Sequence, residues 1–521
     1  MQKLAWWQSA VIYEVYPRSF QDSNGDGIGD LDGIIQRLDY LVKLGVDAIW
    51  VAPIYRSPMA DFGYDVADYC SVDPIFGTMQ DFDRLLKEAH RRDLKLILDF
   101  VPNHSSDQHP WFAESRSARE NPNRDWYLWR DEPNNWRSNF GGSGWEWDER
   151  TNQYYYHSFL KEQPDLNWRN PAVRTAMYDA LRFWLDKGVD GFRVDVMWLL
   201  IKDDLYRDNP PDPQFAQGQS SGNNLLPVYN SNRPEVHEVV AEMRAVIDRY
   251  RGRVLIGEIY LPLKDLMTYY GQNLKGANLP FNFLLLHSAW NAKAVGNIIS
   301  EYMSMMPPGA WPNWVLGNHD SARVATRVGV SQAPIAAMLL LTLPGTLTIY
   351  YGDEIGMTNA SISSEEVQDP AEKKQPGIGM GRDPERAPMA WDSSERAGFT
   401  TGRPWLPFAA DHRFVNVEVE EGDGTSILNL HRRLIDLRRE HPTLVDGKLR
   451  YITYLGDVLS YERATENERL VVFLNFGHSP IRVVTEAGII LAGTDSHRDT
   501  ERVADFIELR GSEGLVVEVS S

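Results

Sequence analysis

An arginine and a carboxylate two residues apart are the first candidates for chemistry in this sequence. They lie in the short apolar stretch 191–196 (GFRVDV). Because side chains alternate between the faces of a strand, Arg193 and Asp195 point the same way. The guanidinium keeps the carboxylate ionised and oriented, as a covalent nucleophile or a metal ligand requires. A structural ion pair at the end of a strand explains the same six residues equally well.

Two further acids end or follow apolar runs. Glu258 lies in the apolar stretch 256–260 (IGEIY), and apolar surroundings raise the pKa of a carboxyl. Asp320 follows the run that ends at Leu316. Hydrolysis of a glycosidic bond needs one ionised and one protonated carboxyl, and Asp195 and Glu258 have that asymmetry.

A metal site built from the same polar groups is the alternative chemistry. Two histidines, His104 and His319, lie near these acids in the sequence pattern. They lack the H-x-x-x-H or H-E-x-x-H spacing of helical zinc ligands, so a zinc site is not expected.

The elements that must position these groups alternate between strand and helix. Seven apolar runs are each followed by an amphipathic segment, which indicates βα units and a parallel sheet. With a weaker eighth run, the pattern predicts an α/β fold, a (β/α)8 TIM barrel. A doubly wound open sheet is the alternative, but G-x-G-x-x-G does not follow the first run. The predicted strands are 11–17, 48–54, 95–101, 191–196, 254–259, 281–286, 314–316 and 346–351.

Polar residues end most of these runs. In a TIM barrel the carboxyl ends of the strands and the loops after them build the active site. A cluster of carboxylates costs stability unless it has a use, so this convergence predicts a functional site. The residues concerned are Asp99, Asn103, His104, Arg193, Asp195, Glu258, Asn318, His319 and Asp320.

Two insertions and the C-terminal part set the domain organisation. The Trp-rich segment 104–160 is too long for a βα loop and predicts a subdomain over the barrel mouth, and the segment 201–232 predicts a loop at the rim. Alternating short runs after the last barrel helix predict an antiparallel β-sandwich. The predicted domains are a catalytic barrel of residues 1–103 and 161–446, a subdomain B of residues 104–160, and a C-terminal β-sandwich of residues 447–521.

Composition restricts the partners. The chain has 521 residues, of which 43% are hydrophobic and 24% charged, as in an ordinary globular protein of several domains. A net charge of -20 argues against nucleic acid and anionic membranes and favours a neutral substrate. The single cysteine, the short apolar runs and the absence of a cleavable N-terminal signal pattern together predict a cytoplasmic protein.

Five motifs in order resemble the signature regions of the α-amylase family of glycoside hydrolases (family 13). The similarity runs from the first strand to the predicted sandwich. The fifth motif, QPDLN, resembles the form found in the oligo-1,6-glucosidase and α-glucosidase subgroup. The motifs are 99–104 (DFVPNH), 191–195 (GFRVD), 257–258 (GE), 318–320 (NHD) and 163–167 (QPDLN).

The resemblance implies a role for each site residue. Asp195 matches the nucleophile that forms a β-glucosyl-enzyme, Glu258 the general acid/base, and Asp320 the acid that binds the 2- and 3-hydroxyls of the sugar. Anomeric configuration is then retained, with the two reacting carboxyls roughly 5–5.5 Å apart. The other matches are His104 and His319, which hydrogen-bond the same ring, Arg193, which orients the nucleophile, and Asp99, which supports the site.

Two more segments resemble the parts that close the pocket in exo-acting α-glucosidases, namely 61–64 (DFGY) and 382–391 (RDPERAPMAW). There an Asp and an Arg clamp the terminal glucose and a Tyr stacks beneath it, which favours short substrates. Arg382 and Arg386 are both candidates for that arginine, and a surface ion pair is the alternative. The candidate residues are Asp61, Tyr64, Arg382, Arg386 and Phe159, which either flanks the pocket or packs in the core.

The resemblance implies an exo-acting retaining α-glucosidase that acts on short α-glucosides of the maltose, isomaltose or sucrose type. One alternative is a transglucosylase or a sucrose/maltose isomerase, in which a sugar or polyol replaces water as acceptor. Another is a non-catalytic binding relative. Val196 is similar to α-1,6-active members, whereas 197–200 (MWLL) and the 201–232 loop depart from the oligo-1,6-glucosidase pattern, so the linkage stays open.

The loop 22–30 (DSNGDGIGD) places oxygen ligands at alternate positions, as loops for hard cations do. It resembles the first half of an EF-hand, but position twelve is Gly33 and not a bidentate Glu. The resemblance implies a structural Ca2+ or Mg2+ and no organic cofactor, and a turn with solvated acids is the alternative. The candidate ligands are Asp22, Asn24, Asp26, Ile28 and Asp30.

Overall fold

Eight parallel strands form a barrel in the computed structural model. The structure describes residues 4–216 and 218–519. Residues 1–3 and 520–521, at the outer ends of the predicted barrel and sandwich, and Gln217 of the predicted rim loop lie outside the described residues. The barrel strands are β1 Val11–Val15, β2 Ala48–Val51, β3 Lys95–Phe100, β4 Gly191–Val194, β5 Val254–Gly257, β6 Leu279–Pro280, β7 Asn313–Val315 and β8 Thr346–Tyr350.

Strand pairing follows chain order around the barrel. Each strand from β1 to β5 pairs in parallel with the next, and β8 pairs with both β7 and β1. Between β6 and β7 the side chain of Asn313 replaces the ladder, because its Nδ2 donates to the Pro280 carbonyl at 2.7 Å and its Oδ1 accepts from the Asn282 amide at 3.1 Å. The sheet is thereby closed, and the predicted TIM barrel is confirmed.

The predicted sixth strand was misplaced. Only the first residue of the apolar run 281–286 bonds to β5, through the Phe281 amide, which donates to the Gly257 carbonyl at 2.7 Å. The strand itself is the two-residue segment Leu279–Pro280 just before it. Phe281, Phe283 and Leu286 are buried in an interior cluster with strand residues such as Ile256. The run is therefore apolar because it packs inside the barrel wall, which periodicity alone does not distinguish from strand burial.

The amphipathic segments between the strands form the outer layer. In the helix Met79–Arg91, for example, Thr78 caps the first turn in a reciprocal pair with Asp81. No helix within the described residues is both long and apolar enough to cross a bilayer; the predicted compartment stays a prediction. The principal helices are Leu31–Gln36, Leu38–Leu44, Met79–Arg91, Pro171–Lys187, Val236–Ile247, Ala292–Met305, Ala333–Thr342 and Ile427–Glu440.

Two smaller sheets lie outside the barrel. The inserted segment contains a three-stranded antiparallel sheet of Trp129–Arg130, Trp145–Asp148 and Gln153–Tyr156. After the last barrel helix, a six-stranded antiparallel sheet packs against a two-stranded one through a buried apolar cluster. The strands of the larger sheet are Lys448–Leu455, Val458–Ala464, Arg469–Asn475, Gly488–Gly493, Arg502–Val503 and Gly514–Val519, and those of the smaller are Ile481–Val484 and Phe506–Leu509.

Candidate active site

The two candidate reacting acids lie side by side at the carboxyl ends of β4 and β5. The Asp195 amide donates to the Phe100 carbonyl at 2.8 Å, and the Glu258 amide donates to the Val194 carbonyl at 3.0 Å, so both backbones continue the barrel ladder. Glycine at the start of β4 allows this pairing, because a Cβ at Gly191 would lie 2.5 Å from the carbonyl oxygen of Val254 in β5.

One guanidinium contacts three carboxyls at this point. Nη1 of Arg193 donates to Oδ1 and Oδ2 of Asp99 at 2.9 and 3.0 Å and to Oδ1 of Asp195 at 2.8 Å. Its Nη2 lies 2.6 Å from Oε2 of Glu258. Arg193 is 1% exposed, so these contacts are shielded from water. The arginine therefore fixes the positions of both candidate reacting acids, and not of Asp195 alone as the strand pattern indicates.

The environment of Glu258 differs from the apolar one that its sequence neighbours indicate. Besides Arg193, the Val196 amide donates to Oε2 of Glu258 at 2.8 Å. Val196 adopts φ 37 and ψ 46, a left-handed conformation that is unfavourable for a β-branched residue. This strained turn directs the amide at Glu258. Burial nevertheless raises the pKa of Glu258, and Arg193 opposes that rise.

Four buried carboxyls lie close enough to Arg193 to feel its charge. They are Glu14, Asp99, Asp195 and Glu258, each at most 6% exposed. Burial raises the pKa of every one of them, and the neighbouring Glu258 raises that of Asp195 further. Because one cation cannot offset four buried negative charges, the cluster favours the protonated form of its carboxyls. A general acid requires this protonated form.

Sequence reasoning missed Glu14. It lies on β1, 0% exposed, with Oε1 2.5 Å from Nδ1 of His319. Burial lowers the pKa of His319 to about 3, so the imidazole is neutral, and its Nε2 lies 2.7 Å from the Tyr64 hydroxyl. Glu14 therefore orients the imidazole beside Asp320. The available signal was a charged residue in the middle of an apolar strand.

Asp320 is held in its ionised form. Nη2 of Arg386 donates to its Oδ1 at 2.6 Å, and Nη1 of Arg382 lies 3.5 Å from the same atom. Burial alone would raise its pKa, but the two guanidinium groups of Arg386 and Arg382 hold the pKa of Asp320 below its usual range. The third acid is therefore a fixed negative charge next to the two protonatable ones.

The structure separates the two candidate clamp arginines. Nη2 of Arg382 donates to Oδ1 of Asp61 at 2.7 Å, and its Nε donates to Oδ2 of Asp369 at 2.6 Å. Arg386 is 0% exposed, lies beneath Asp320 and does not line the cavity. Arg382 is thus the arginine that meets Asp61 at the cavity surface. Asp369, which orients it, was not identified from the sequence.

Aromatic residues from the barrel loops and the inserted segment lie near Asp61. Tyr64 and His104 line the cavity, and Nε2 of His104 lies 3.0 Å from the Tyr64 carbonyl. Burial lowers the pKa of His104 to about 4, so its imidazole is neutral. The Phe159 ring lies 5.3 Å from His104 and 5.4 Å from Phe140, so it both lines the cavity and packs.

These residues enclose a cavity of about 600 Å³. That volume is typical of a site for a small organic molecule. Two of its lining residues, Asp61 and Arg382, form an ion pair whose side chains are only 5% and 13% exposed, and we call this part the closed end of the cavity. Asp195, Glu258 and Asp320 also line the cavity. Sequence reasoning assigned no role to several lining residues that come from loops after different strands, which are Asn139, Phe140, Gln163, Trp198, Tyr260, His287, Asn359 and Glu385.

The 22–30 loop satisfies its own oxygens. Asp22 accepts from the amides of Asn24, Gly25 and Gly27, Asp26 accepts from the Ile28 amide, and Asp30 caps the helix at the Gly33 amide. No group of three or more His, Cys, Asp or Glu in the described part of the chain is arranged to hold a metal. The geometry thus adds no support for the cation, which stays a prediction from donor chemistry.

A chelator tests this cation. If the loop holds Ca2+ or Mg2+, EDTA will lower the melting temperature of the purified protein, because a ligand bound only by the folded state stabilises it. Asp26→Asn, at an exposed position, removes one ligand charge and is expected to melt at the same temperature with and without EDTA. A wild-type melting temperature that EDTA leaves unchanged would establish the plain turn.

Comparison with known proteins identifies the family. The family profile "Alpha amylase, catalytic domain" matches residues 14–447. A "Probable alpha-glucosidase" of Rhizobium meliloti (strain 1021) is 41% identical over 493 residues, covering 90% of this chain and 89% of the relative. An "Oligo-1,6-glucosidase" of Parageobacillus thermoglucosidasius is 41% identical over 516 residues, covering 90% of both chains.

A solved structure gives the same result. The crystal structure of an alpha-glucosyl transfer enzyme, XgtA, superposes with a TM-score of 0.94 at 39% identity, covering 99% of this chain and 100% of the other. The fold and the site define a glycoside hydrolase. The chain belongs to the α-amylase family, glycoside hydrolase family 13, which confirms the resemblance read from the five motifs.

Proposed function

We propose that this enzyme is an exo-acting retaining α-glucosidase that releases glucose from the non-reducing end of short α-glucosides. The observation that carries the proposal is the closed end of the cavity, where Arg382 and Asp61 form an ion pair beyond the reacting acids. A paired cation and anion there can bind the outer hydroxyls of one terminal glucose and leave no room for further units. The names of the relatives support the same activity.

In the first step Asp195 acts as nucleophile and Glu258 as acid. A carboxylate oxygen of Asp195 attacks the anomeric carbon, and the bond to the leaving-group oxygen breaks as Glu258 gives that oxygen its proton. The products of this step are a glucosyl ester on Asp195 and the released sugar. Glu258 enters this step protonated and leaves it ionised. Burial favours the protonated form, whereas Arg193 and the Val196 amide stabilise the ionised form.

In the second step water replaces the leaving group. The ionised Glu258 takes a proton from water, the hydroxide oxygen bonds to the anomeric carbon, and Asp195 leaves as a carboxylate. Two inversions retain the α configuration. The fixed negative charge of Asp320 stabilises the positive charge that develops on the sugar ring in both transition states.

Transfer to an acceptor other than water is the second candidate. It is favoured by the similarity to XgtA, an alpha-glucosyl transfer enzyme, at a TM-score of 0.94. The same glucosyl ester serves both reactions, so the groups near the leaving-group side decide between water and a sugar or polyol. A non-catalytic relative is disfavoured because all three acids line the cavity.

Product analysis tests the proposal. Maltose, isomaltose, sucrose and trehalose are incubated with the enzyme, with and without glycerol, and products are followed by NMR. We expect glucose released first as the α anomer from at least one disaccharide. Initial release of β-glucose would contradict retention, and glycosides in place of glucose would favour the transferase.

Arg382→Ala tests the closed end. Losing charge-assisted hydrogen bonds to the terminal glucose is expected to lower kcat/KM on maltose about 10- to 100-fold. Arg382→Lys should recover little, because an ammonium does not reproduce the geometry of the guanidinium. The matched control is Arg396→Ala, an exposed arginine of the same segment. Equal kcat/KM for Arg382→Ala and the control would refute the clamp.

A further inference from the structure

Glu385 is a buried carboxyl of the cavity that the proposed mechanism does not use. Its side chain lines the cavity and is 4% exposed. Within the described part of the chain it accepts one hydrogen bond from another side chain, from Nδ2 of Asn359 at 3.3 Å. A carboxyl has about four acceptor sites, so most of the capacity of this group is open to a ligand.

No ion pair within 4 Å to Glu385 occurs among the described residues, although two arginines are close. Arg386 directs its Nη2 at Asp320, and Arg323 directs its Nη1 at the Tyr351 carbonyl at 2.6 Å. A buried carboxyl without strong donors costs free energy unless something else supplies them. The cavity is the side from which a ligand can supply them.

Glu385 and its partner Asn359 lie in the segment that follows β8. Asn359 accepts from the Arg323 amide at 2.8 Å, in the loop that follows β7. Neither Glu385 nor Asn359 has a hydrogen bond or ion pair to Asp61 or Arg382 in the part of the chain that the structure describes. If a glucose is held by the Asp61–Arg382 pair with its anomeric carbon at Asp195, its leaving group occupies the rest of the cavity, whose lining includes Glu385.

Aromatic rings also line the cavity. Trp198 and Tyr260 line the cavity with their ring centroids 5.7 Å apart, and His287 lies 5.8 Å from Tyr260. Ring faces pack against the apolar C–H faces of a sugar, whereas carboxyl and amide groups bind its hydroxyls. The cavity thus offers both kinds of contact that a sugar ring requires.

We propose that Glu385 and Asn359 bind the hydroxyls of the sugar on the leaving-group side, so that Glu385 determines the preference for sugar over aryl leaving groups. The same contacts bind an acceptor sugar during transfer. The proposal rests on the α-glucosidase function, because it presupposes a glucose at the closed end. It adds a residue that distinguishes one leaving group from another.

The preference depends on pH in a definite direction. Burial raises the pKa of Glu385 to about 7, with Asp320 adding to the rise and Arg386 and Arg323 opposing it. An ionised carboxylate accepts hydrogen bonds from hydroxyls more strongly than a neutral carboxyl. The contribution of Glu385 to disaccharide turnover is therefore small well below pH 7 and grows as the pH rises through about 7.

Steady-state kinetics on two substrates test the proposal. The substrates are p-nitrophenyl α-glucoside, whose leaving group has no hydroxyls, and whichever of maltose, isomaltose and sucrose the wild type cleaves best. For Glu385→Gln we expect kcat/KM on the disaccharide to fall about tenfold and that on the aryl glucoside to stay within about twofold. Glu395→Gln, an exposed carboxyl of the same segment, is the matched control.

The pH series and a second variant separate binding from structure. The disaccharide deficit of Glu385→Gln, expressed relative to the aryl glucoside, should widen from pH 6 to pH 8. Glu385→Asp, which keeps the charge, should recover part of the lost activity. An equal loss on both substrates, no loss on either, or a deficit independent of pH would overturn the proposal. If the wild type fails on the aryl glucoside as well as on every disaccharide, the proposed function itself fails, and this inference fails with it.

Discussion

Asp195→Asn is expected to lower kcat/KM for p-nitrophenyl α-glucoside by about 10⁴-fold or more, the scale on which loss of a catalytic nucleophile acts. The amide cannot form the glucosyl ester, and no neighbouring group replaces it, because Asp99 is fully engaged by Arg193 and Tyr64. Retention of configuration through a covalent intermediate requires a carboxylate oxygen at this position. Initial rates with the aryl glucoside measure the loss directly.

The same substitution should leave the protein folded and raise its melting temperature. Burial raises the folded-state pKa of Asp195 above its unfolded value. The folded state therefore binds this proton more tightly than the unfolded state. As pH rises above the unfolded-state pKa, the free energy of unfolding of the protein decreases. A neutral amide removes that decrease at neutral pH. Asp505→Asn, at an exposed bend just before the strand Phe506–Leu509, is the control and should change neither activity nor melting temperature.

Near-wild-type turnover by Asp195→Asn would refute the mechanism. A folded but inactive variant with an unchanged or raised melting temperature would support it. A strongly lowered melting temperature would show that the ion pair with Arg193 is structural, the alternative that the six-residue stretch allows. The melting experiment therefore distinguishes the two interpretations that periodicity alone leaves equal.

The local periodicity of the sequence was sufficient to predict those parts of the site that lie at the ends of consecutive strands. Arg193 and Asp195 share a face because strand side chains alternate, and parallel strands place Asp195 and Glu258 at one edge. These relations depend on neighbours in the chain or on the barrel rule. The alternation of strand and helix likewise predicted the barrel, except that the interior packing of Phe281 resembled a strand.

Contacts between segments that are distant in the chain could not be predicted from the sequence. Asp369 orients Arg382 from thirteen residues earlier in the chain, and Glu14 contacts His319 although the two are 305 residues apart. The apolar neighbours of Glu258 suggested an uncharged environment, whereas Arg193 lies against it. Which charged groups share a buried space depends on loop conformation, and no residue spacing encodes that conformation.

Glu258→Gln should lower kcat/KM most for the substrates whose leaving groups most need a proton. On a disaccharide, whose leaving alcohol is weakly acidic, loss of general acid catalysis is expected to cost about 10²- to 10⁴-fold in kcat/KM. On p-nitrophenyl α-glucoside, whose phenol leaves readily as the anion, the loss of kcat/KM should be much smaller. Glu440→Gln, an exposed glutamate of the last barrel helix, is the matched control.

The pH dependence of the disaccharide reaction provides an independent measurement. Burial raises the pKa of Glu258, and a general acid works only while protonated. Disaccharide kcat/KM of the wild type should therefore fall as pH rises through that raised pKa, and the fall should be absent from Glu258→Gln. A uniform loss on both substrates, with the alkaline limb intact, would assign the proton to another group of the Arg193 cluster. Because Asp195 shares that cluster, the combination of both variants decides which of the two carboxyls holds the proton.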